Sequence, residues 1–386
     1  MGNVKLKVLL VAGARPNFVK IAPLMSEIRK HPEEVEPFLV HTGQHYDDAM
    51  SRRFFEDLGI PEPDANLGVG PASHAQQTAR IMERFEPVLH EQKPHVVLVV
   101  GDVNSTVASA LVAAKLGVKV AHVEAGLRSF DRTMPEEVNR IVTDQLSDFL
   151  FVTEQSGLDN LQREGIRKDK VFLVGNVIVD TLLANREKAQ QSNISQQLGL
   201  DGSPYAVATL HRPSNVDYRH VLREIVHALL RLSAELAVIF AVHPRTSRRL
   251  ARFGLWSTLE NASRVVLTEP LGYLDFLKLT SNATLILTDS GGLQEEACVL
   301  QVPCLTLREN TERPATVATG WNQVVGTERD AILAAADTAL HNDDRSGHPI
   351  TLWDGKASVR IVRILTAASA ELTQGRGLRR MPLATQ

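Results

Sequence analysis

The sequence predicts an α/β protein built from two Rossmann-like, doubly wound parallel-sheet domains with a cleft between them. Short apolar β-type runs alternate with amphipathic helical stretches from end to end, and the rhythm breaks once, at a polar patch near the middle. The length of 386 residues with 44% hydrophobic content also exceeds the roughly 250–300 residues that one core sustains. Strand-helix-strand alternation is the mark of a parallel sheet, whose right-handed crossovers lay helices on both faces.

In chain order, KVLLVA (7–12), PFLVHT (37–42), HVVLVVGD (95–102), KVAHVE (119–124), FLFVT (149–153) and VFLVG (171–175) read as the first strand set. Between them NFVKIAPLMSEIRK, HAQQTARIMERFEPVLHEQ and STVASALVAAKLG repeat apolar residues every three or four positions, the helical period. After Gly175 the pattern pauses through an amphipathic segment and the polar patch QQSNISQQLGLDGSP (190–204). It then resumes: YAVATLH, LAVIFAVH, RVVLTEP, ATLILTDS and VPCLTL read as a second parallel set. The expected domains are 1–177 and 178–354, with the helical pattern at 355–372 rejoining the first and 373–386 as a tail. No internal repeat is visible.

Charge points to a small-molecule partner. With 42 basic and 45 acidic residues interspersed, the net charge is -3, which leaves no footprint for nucleic acid or anionic lipid. The apolar run Val8 to Ala12 is too short for a signal-peptide core or a membrane span, so a cytoplasmic location is expected. Cys298 and Cys304 fit neither a redox pair nor a zinc site and read as buried hydrophobes. His41, His45, Asp47 and Asp48 have metal-like content but no recognised ligand spacing.

Ligands of doubly wound sheets bind outside the carboxyl ends of the strands. Those exits carry GARPN with Lys20 a turn later, Gly101-Asp102, His122 and Glu124, His211-Arg212, His243-Pro244, and DSGGLQEE at 289–296. DSGGLQEE is the sharpest anion-binding signal: Ser290, Gly291 and Gly292 bring free N–H groups and the positive helix end to a ligand with no Cβ in the way. An ordinary Ser-capped helix start is the competing reading. Glu296, a turn on, suits sugar hydroxyls, and Arg15 and Arg313 can supply guanidiniums for phosphate. No Walker loop and no GxGxxG turn is present.

In HVEAGLRSFDRTMPEEVNR, Thr133-x-x-Glu136 matches a capping box and Pro135 a first helical turn. That leaves Glu124 unexplained, since a carboxylate straight after a buried strand needs a partner. With Asp102 it forms a two-carboxylate cluster of the kind that separates into acid and base; ion pairing with Arg128 or Arg140 is the alternative.

Taken together, GARPNFVKIAPL, HTGQHYD, VLVVGDVNST, HVEAGLRSFDRTMPEEVNR, TLHRPSNVD, AVHPR, ILTDSGGLQEEA and TERPA resemble the non-hydrolysing UDP-N-acetylglucosamine 2-epimerases, in order from residue 13 to about 315. The resemblance implies a GT-B type fold, a homodimer, and interconversion of UDP-GlcNAc and UDP-ManNAc without metal or cofactor, by elimination of UDP to a 2-acetamidoglucal and re-addition. It implies a catalytic set of Asp102, Glu124, Glu136 and His211. It also implies UDP-sugar contacts from Arg15, Lys20, His243, Phe276, Ser290, Gly291, Gly292, Glu296 and Arg313.

Ala14, Asn17, HRPSNVD and a shortened loop before Pro135 depart from many bacterial members at a second substrate site, so hyperbolic kinetics is expected. A 2-epimerase acting on a UDP-2,3-diacetamido-hexuronate, a hydrolysing epimerase, a GT-B UDP-sugar glycosyltransferase and a non-catalytic sensor are the competing functions.

Overall fold

The structure, a computed structural model, describes residues 4–43, 54–200, 202–341 and 347–374. His45, Asp47 and Asp48 lie outside the described residues, as does most of the expected tail. The chain divides into two compact units: residues up to Thr181 with those from Thr351 onward, and Leu182–Ile350.

The first unit is a seven-stranded sheet of β1 (Leu6–Ala12), β2 (Val35–His41), β3 (Ala65–Asn66), β4 (Val96–Val100), β5 (Lys119–Ala125), β6 (Phe149–Val152) and β7 (Val171–Leu173). Its order is β3-β2-β1-β4-β5-β6-β7 and every pairing is parallel. Both sides of β1 and β4 are covered, so Leu9, Leu10 and Val96 to Val99 are wholly buried. This is why those strands read as unbroken apolar runs rather than alternating ones. The helix His74–Gln92 buries Ile81, Phe85 and Leu89, one residue per turn. Ser73 caps its start and Lys93 closes its end in the left-handed conformation. The order in which strands are added reverses between β1 and β4, which makes their carboxyl ends the switch point where a doubly wound sheet opens to ligands.

The second unit repeats the plan with different residues. It comprises β8 (Tyr205–Thr209), β9 (Ala237–Ala241), β10 (Val265–Thr268), β11 (Leu285–Thr288), β12 (Cys304–Thr306) and β13 (Asn322–Val324). They pair in parallel in the order β10-β9-β8-β11-β12-β13, with the switch point between β8 and β11. The helix Arg219–Leu232 turns Leu222, Ile225, Val226, Leu229 and Leu232 onto the sheet. Cys298 and Cys304 are free and buried here. Among the described residues no helix is long and apolar enough to cross a membrane.

The helix Ala357–Ala367 packs within the first unit. Its N-terminal donors, which have no partner within the helix, are met by Asp180, which accepts from the backbone N–H of Ala357 at 3.0 Å and of Ser358 at 2.7 Å and from the Ser358 hydroxyl. Burial pushes the Asp180 carboxyl up against the pull of these hydrogen bonds. Arg360 donates to the Val174 carbonyl at 2.9 Å. Gly175, at φ +87°, leaves room for the Leu352 carbonyl, which any side chain there would strike.

Asp180→Ala strips two backbone donors of their acceptor in a buried site, which costs about 1–3 kcal/mol. Urea unfolding followed at Trp353, whose indole donates to the Thr153 carbonyl in the first unit, is expected to show that loss; an unchanged midpoint would mean that Asp180 is not what holds the helix.

Candidate active site

At the first switch point the backbone N–H groups of Gly13 and Ala14 both donate to the Asn17 side-chain oxygen, at 3.1 and 3.0 Å, while the Asn17 amide donates to the Val100 carbonyl. Asn17 thus ties the turn after β1 to the end of β4. One turn further along the helix Arg15–Ile28, the Lys20 ammonium forms a buried ion pair with Glu124. Glu124 sits where the β5–β6 register shifts, on a bulge between Val123 and Ala125, and its φ is +77°. A bulge re-aims one side chain, and a bulky residue held at positive φ stores strain that the surroundings must repay. Gly101 makes the space: at φ +66°, a Cβ there would stand 2.7 Å from Lys20 Nζ and 3.3 Å from Glu124 Oε2.

Asp102 follows directly and accepts from Arg140 Nε at 3.0 Å and from an Arg140 terminal nitrogen at 2.8 Å. Arg140 also bonds Glu137 through its other nitrogen. Glu137 is buried and accepts from the Ser129 and Phe130 N–H groups, both at 2.9 Å, and from the Ser129 hydroxyl. Glu136, the next residue back, is half-buried in the first turn of the helix Pro135–Leu146. The capping box expected from Thr133 is not formed. Met134 is the N-cap and no side chain caps the helix, because the Thr133 hydroxyl donates to Asp131 instead. Arg128 does not pair with Glu124 either. It binds Asp144 and Glu164, both at 2.7 Å, and Asp144 also meets His122 at 2.7 Å and the Gly126 N–H. Burial raises the Asp144 carboxyl, but His122 and Arg128 outweigh it and hold it below the usual carboxylate range.

In the second unit the turn after β8 is built around Asp289, fully buried at the end of β11. It accepts from the backbone N–H groups of His211 and Arg212 and from His211 Nδ1 at 2.8 Å. Burial pushes the Asp289 carboxyl up; His211 and these N–H groups bring it below its ordinary value. The His211 ring, its Nδ1 engaged, is 42% exposed. His243, at the end of β9, caps the helix Pro244–Phe253 with its ring centroid 5.9 Å from that of His211.

Ser290 caps the helix Gly291–Leu300. Gly291 makes room for more than a ligand: a Cβ there would lie 2.6 Å from Glu312 Oε1. Arg308 pairs with Glu312 at 2.7 Å, Arg212 approaches the same carboxylate, and Arg313 pairs with Glu295 at 2.7 Å. Burial lowers Arg308, and although Glu312 opposes this, the nearby Arg212 and Arg313 guanidiniums add to it. A cluster of three guanidiniums beside a helix N-terminus is a setting for phosphate. Gly292 occupies the next position of that helix start. Burial pushes Glu296 up to about 7, against the pull of the Tyr273 hydroxyl. Phe276, in the helix Tyr273–Ser281, is partly buried against the core.

The family model described as UDP-N-acetylglucosamine 2-epimerase matches residues 26–366. The chain belongs to that family. It is an epimerase, an isomerase. It is 44% identical over 367 residues to the UDP-N-acetylglucosamine 2-epimerase of Methanocaldococcus jannaschii, covering 94% of this chain and 99% of the relative. A solved structure of the Methanocaldococcus jannaschii enzyme in complex with UDP-GlcNAc and UDP superposes with a TM-score of 0.87 at 43% identity, covering 94% of this chain and 100% of that one. A second relative, the UDP-2,3-diacetamido-2,3-dideoxy-D-glucuronate 2-epimerase of Pseudomonas aeruginosa, is 42% identical over 93% of this chain and 99% of its own. The two parallel-sheet units agree with the GT-B type fold expected of such epimerases.

Within the first unit the structure gathers Lys20, Asp102 and Glu124 at the ends of β1, β4 and β5, with Glu136 on the adjoining helix. The second unit gathers His211, His243, Ser290, Gly291, Gly292, Glu296 and Arg313. Arg15 begins its helix. Asp289, Arg308 and Glu312 are not singled out by the sequence, and Asn17 only as a departure from many bacterial members; a buried acid at a strand exit, as at Asp289, is the available signal.

Gly101→Ala would push Lys20 and Glu124 apart. We expect turnover to fall about 100-fold, the scale of a 1 Å misplacement, with circular dichroism unchanged. Full turnover would show that the ion pair tolerates displacement.

Proposed function

We propose that this epimerase interconverts UDP-GlcNAc and UDP-ManNAc without releasing free sugar, acting as a homodimer. The observation that carries the reading is the strained Glu124, forced onto a bulge and seated beside Lys20 and next to the strand that delivers Asp102. A fold accepts such strain and such burial of charge where chemistry uses it. The 44% identity to a UDP-N-acetylglucosamine 2-epimerase supports the substrate.

A carboxylate of the first unit takes the proton from C2 while the C1–O bond breaks and its electron pair leaves with UDP, giving the 2-acetamidoglucal. UDP then re-forms the bond to C1 as a proton is delivered to the opposite face of C2. Asp102 and Glu124 act on one face and Glu136 on the other. Two positioned proton-handling groups and a preorganised anion site are what this elimination needs. The second unit supplies the anion site: Ser290, Gly291, Gly292, Arg313 and His243 hold the diphosphate. Glu296 receives the ribose hydroxyls and Phe276 meets the uracil. His211, oriented by its hydrogen bond to Asp289, stabilises the departing diphosphate.

The diacetamido-uronate substrate of the Pseudomonas aeruginosa relative carries a further carboxylate, which calls for an uncommitted cation. Lys20, Arg128 and Arg140 are each already bonded to a carboxylate, so these three are not the cations it would use.

Incubation with UDP-GlcNAc in heavy water is expected to place deuterium at C2 and yield UDP-ManNAc. Asp102→Asn, Glu124→Gln and Glu136→Gln should each lower that exchange about 10²–10⁴-fold while UDP still binds. Exchange seen only with the diacetamido-uronate would reassign the substrate.

Glu296, protonated in half the molecules at about pH 7, must ionise to receive two hydroxyl donors. UDP affinity should therefore rise with pH, by up to about tenfold per unit below pH 7, and level off above it. Glu296→Gln should remove that component; an identical pH dependence in the variant would take Glu296 out of the ribose site.

A further inference from the structure

Five non-glycine residues among those described have φ in the left-handed region: Lys93, Glu124, Phe130, Gln301 and Leu352. Lys93 and Gln301 close helices, where that conformation is ordinary. Leu352 packs against Gly175. Glu124 belongs to the site. Phe130, at φ +61°, is the one left unexplained by the fold, and it lies in the same short loop as Glu124. An aromatic side chain in this region is a genuine outlier, yet the residue is 72% exposed and recovers little burial in return.

The loop is nevertheless held firmly. The Phe130 and Ser129 N–H groups both donate to Glu137, a buried carboxylate. Glu137 shares Arg140 with Asp102. Two side chains therefore connect the Phe130 backbone to a proposed catalytic acid, and charge-assisted hydrogen bonds make both links short. A buried acid fixes the strained backbone that carries this exposed aromatic ring, between Glu124 and Glu136 in sequence.

We infer that Phe130 is a specificity-determining contact for the sugar half of the substrate, its ring packing on the apolar C–H face of the 2-acetamido pyranose. This rests on the epimerase reading above. The chemistry fits: a pyranose presents a face of C–H groups that an aromatic ring covers, and covering a ring that stands in water returns the hydrophobic gain the folded protein forgoes. UDP alone has no such face, so the contact discriminates UDP-sugar from UDP.

The test compares UDP-GlcNAc with UDP on the full-length chain. Phe130→Ala is expected to raise KM for UDP-GlcNAc and weaken its calorimetric Kd about tenfold or more, leaving the Kd of UDP within about twofold, a change too small to register as a lost contact. Phe130→Tyr should keep both near the wild-type values. Phe130→Gly should show the same sugar-specific loss together with a higher unfolding midpoint, because glycine relieves the positive φ. Equal loss for UDP and UDP-GlcNAc, or loss for neither, overturns the proposal. So does a variant whose sedimentation shows a changed oligomeric state with unchanged Kd values, since the ring would then face another protein surface. The binding ratio is read without turnover. Absence of C2 exchange in the wild-type enzyme would therefore count against the epimerase reading and not against Phe130.

Discussion

Two carboxylates share one buried guanidinium. Arg140 holds Asp102 with two nitrogens and Glu137 with the third, and what surrounds the first switch point is arranged about that bridge. Glu137 fixes the loop that follows β5, Asp102 ends β4, and the helix that carries Arg140 carries Glu136 as well. Burying Arg140 and Glu137 is costly, and losing a partner leaves the other charge uncompensated, at several kcal/mol in comparable networks. The arrangement is therefore all or none, a reason for a single geometry at this end of the sheet. His122, Asp144, Arg128 and Glu164 form a second network under the same loop, so the segment between Glu124 and Pro135 is pinned from both sides.

The two units solve opposite electrostatic problems with one topology. Each reverses its strand order between its first and fourth strand, and each opens its switch point with a glycine. In the first unit Gly101 admits an ammonium and a carboxylate, and acids dominate the residues around it. In the second, Gly291 admits the Glu312 carboxylate, and the Arg212, Arg308 and Arg313 guanidiniums stand beside it. The acids there, Glu295 and Glu312, are as buried as the arginines they hold. They set where the positive charge stands, a role that placing phosphate-binding glycines at 291 and 292 does not by itself foresee.

Much of this was legible before any coordinates. The central strands are buried on both faces, so they announce themselves as continuous apolar runs, and strand exits are where doubly wound sheets keep their chemistry. β3 and β13 escaped because two or three residues such as Ala65–Asn66 and Asn322–Val324 carry no period and little hydrophobicity. Partners separated by long stretches of chain escaped for another reason. Lys20 meets Glu124 across 104 residues, and His211 meets Asp289 across 78; local pattern holds no information about such pairs. Thr133 shows the converse error, a valid local motif whose hydroxyl found a better acceptor in Asp131. The left-handed backbone at Glu124 and Phe130 has no signature at all, since neither residue type favours it.

Asp180 holds donors that are made 177 residues after it. During synthesis the first sheet is complete long before Ala357 and Ser358 exist, whereas every strand of the second unit is contiguous within its own span. Domains generally fold as units while the chain is still being made. The unit translated first is thus the one finished last, and until its closing helix arrives it carries a buried acid with nothing to receive and an uncovered patch on the helix Arg15–Ile28. A chain released after residue 350 would present a finished second unit attached to an unfinished first one.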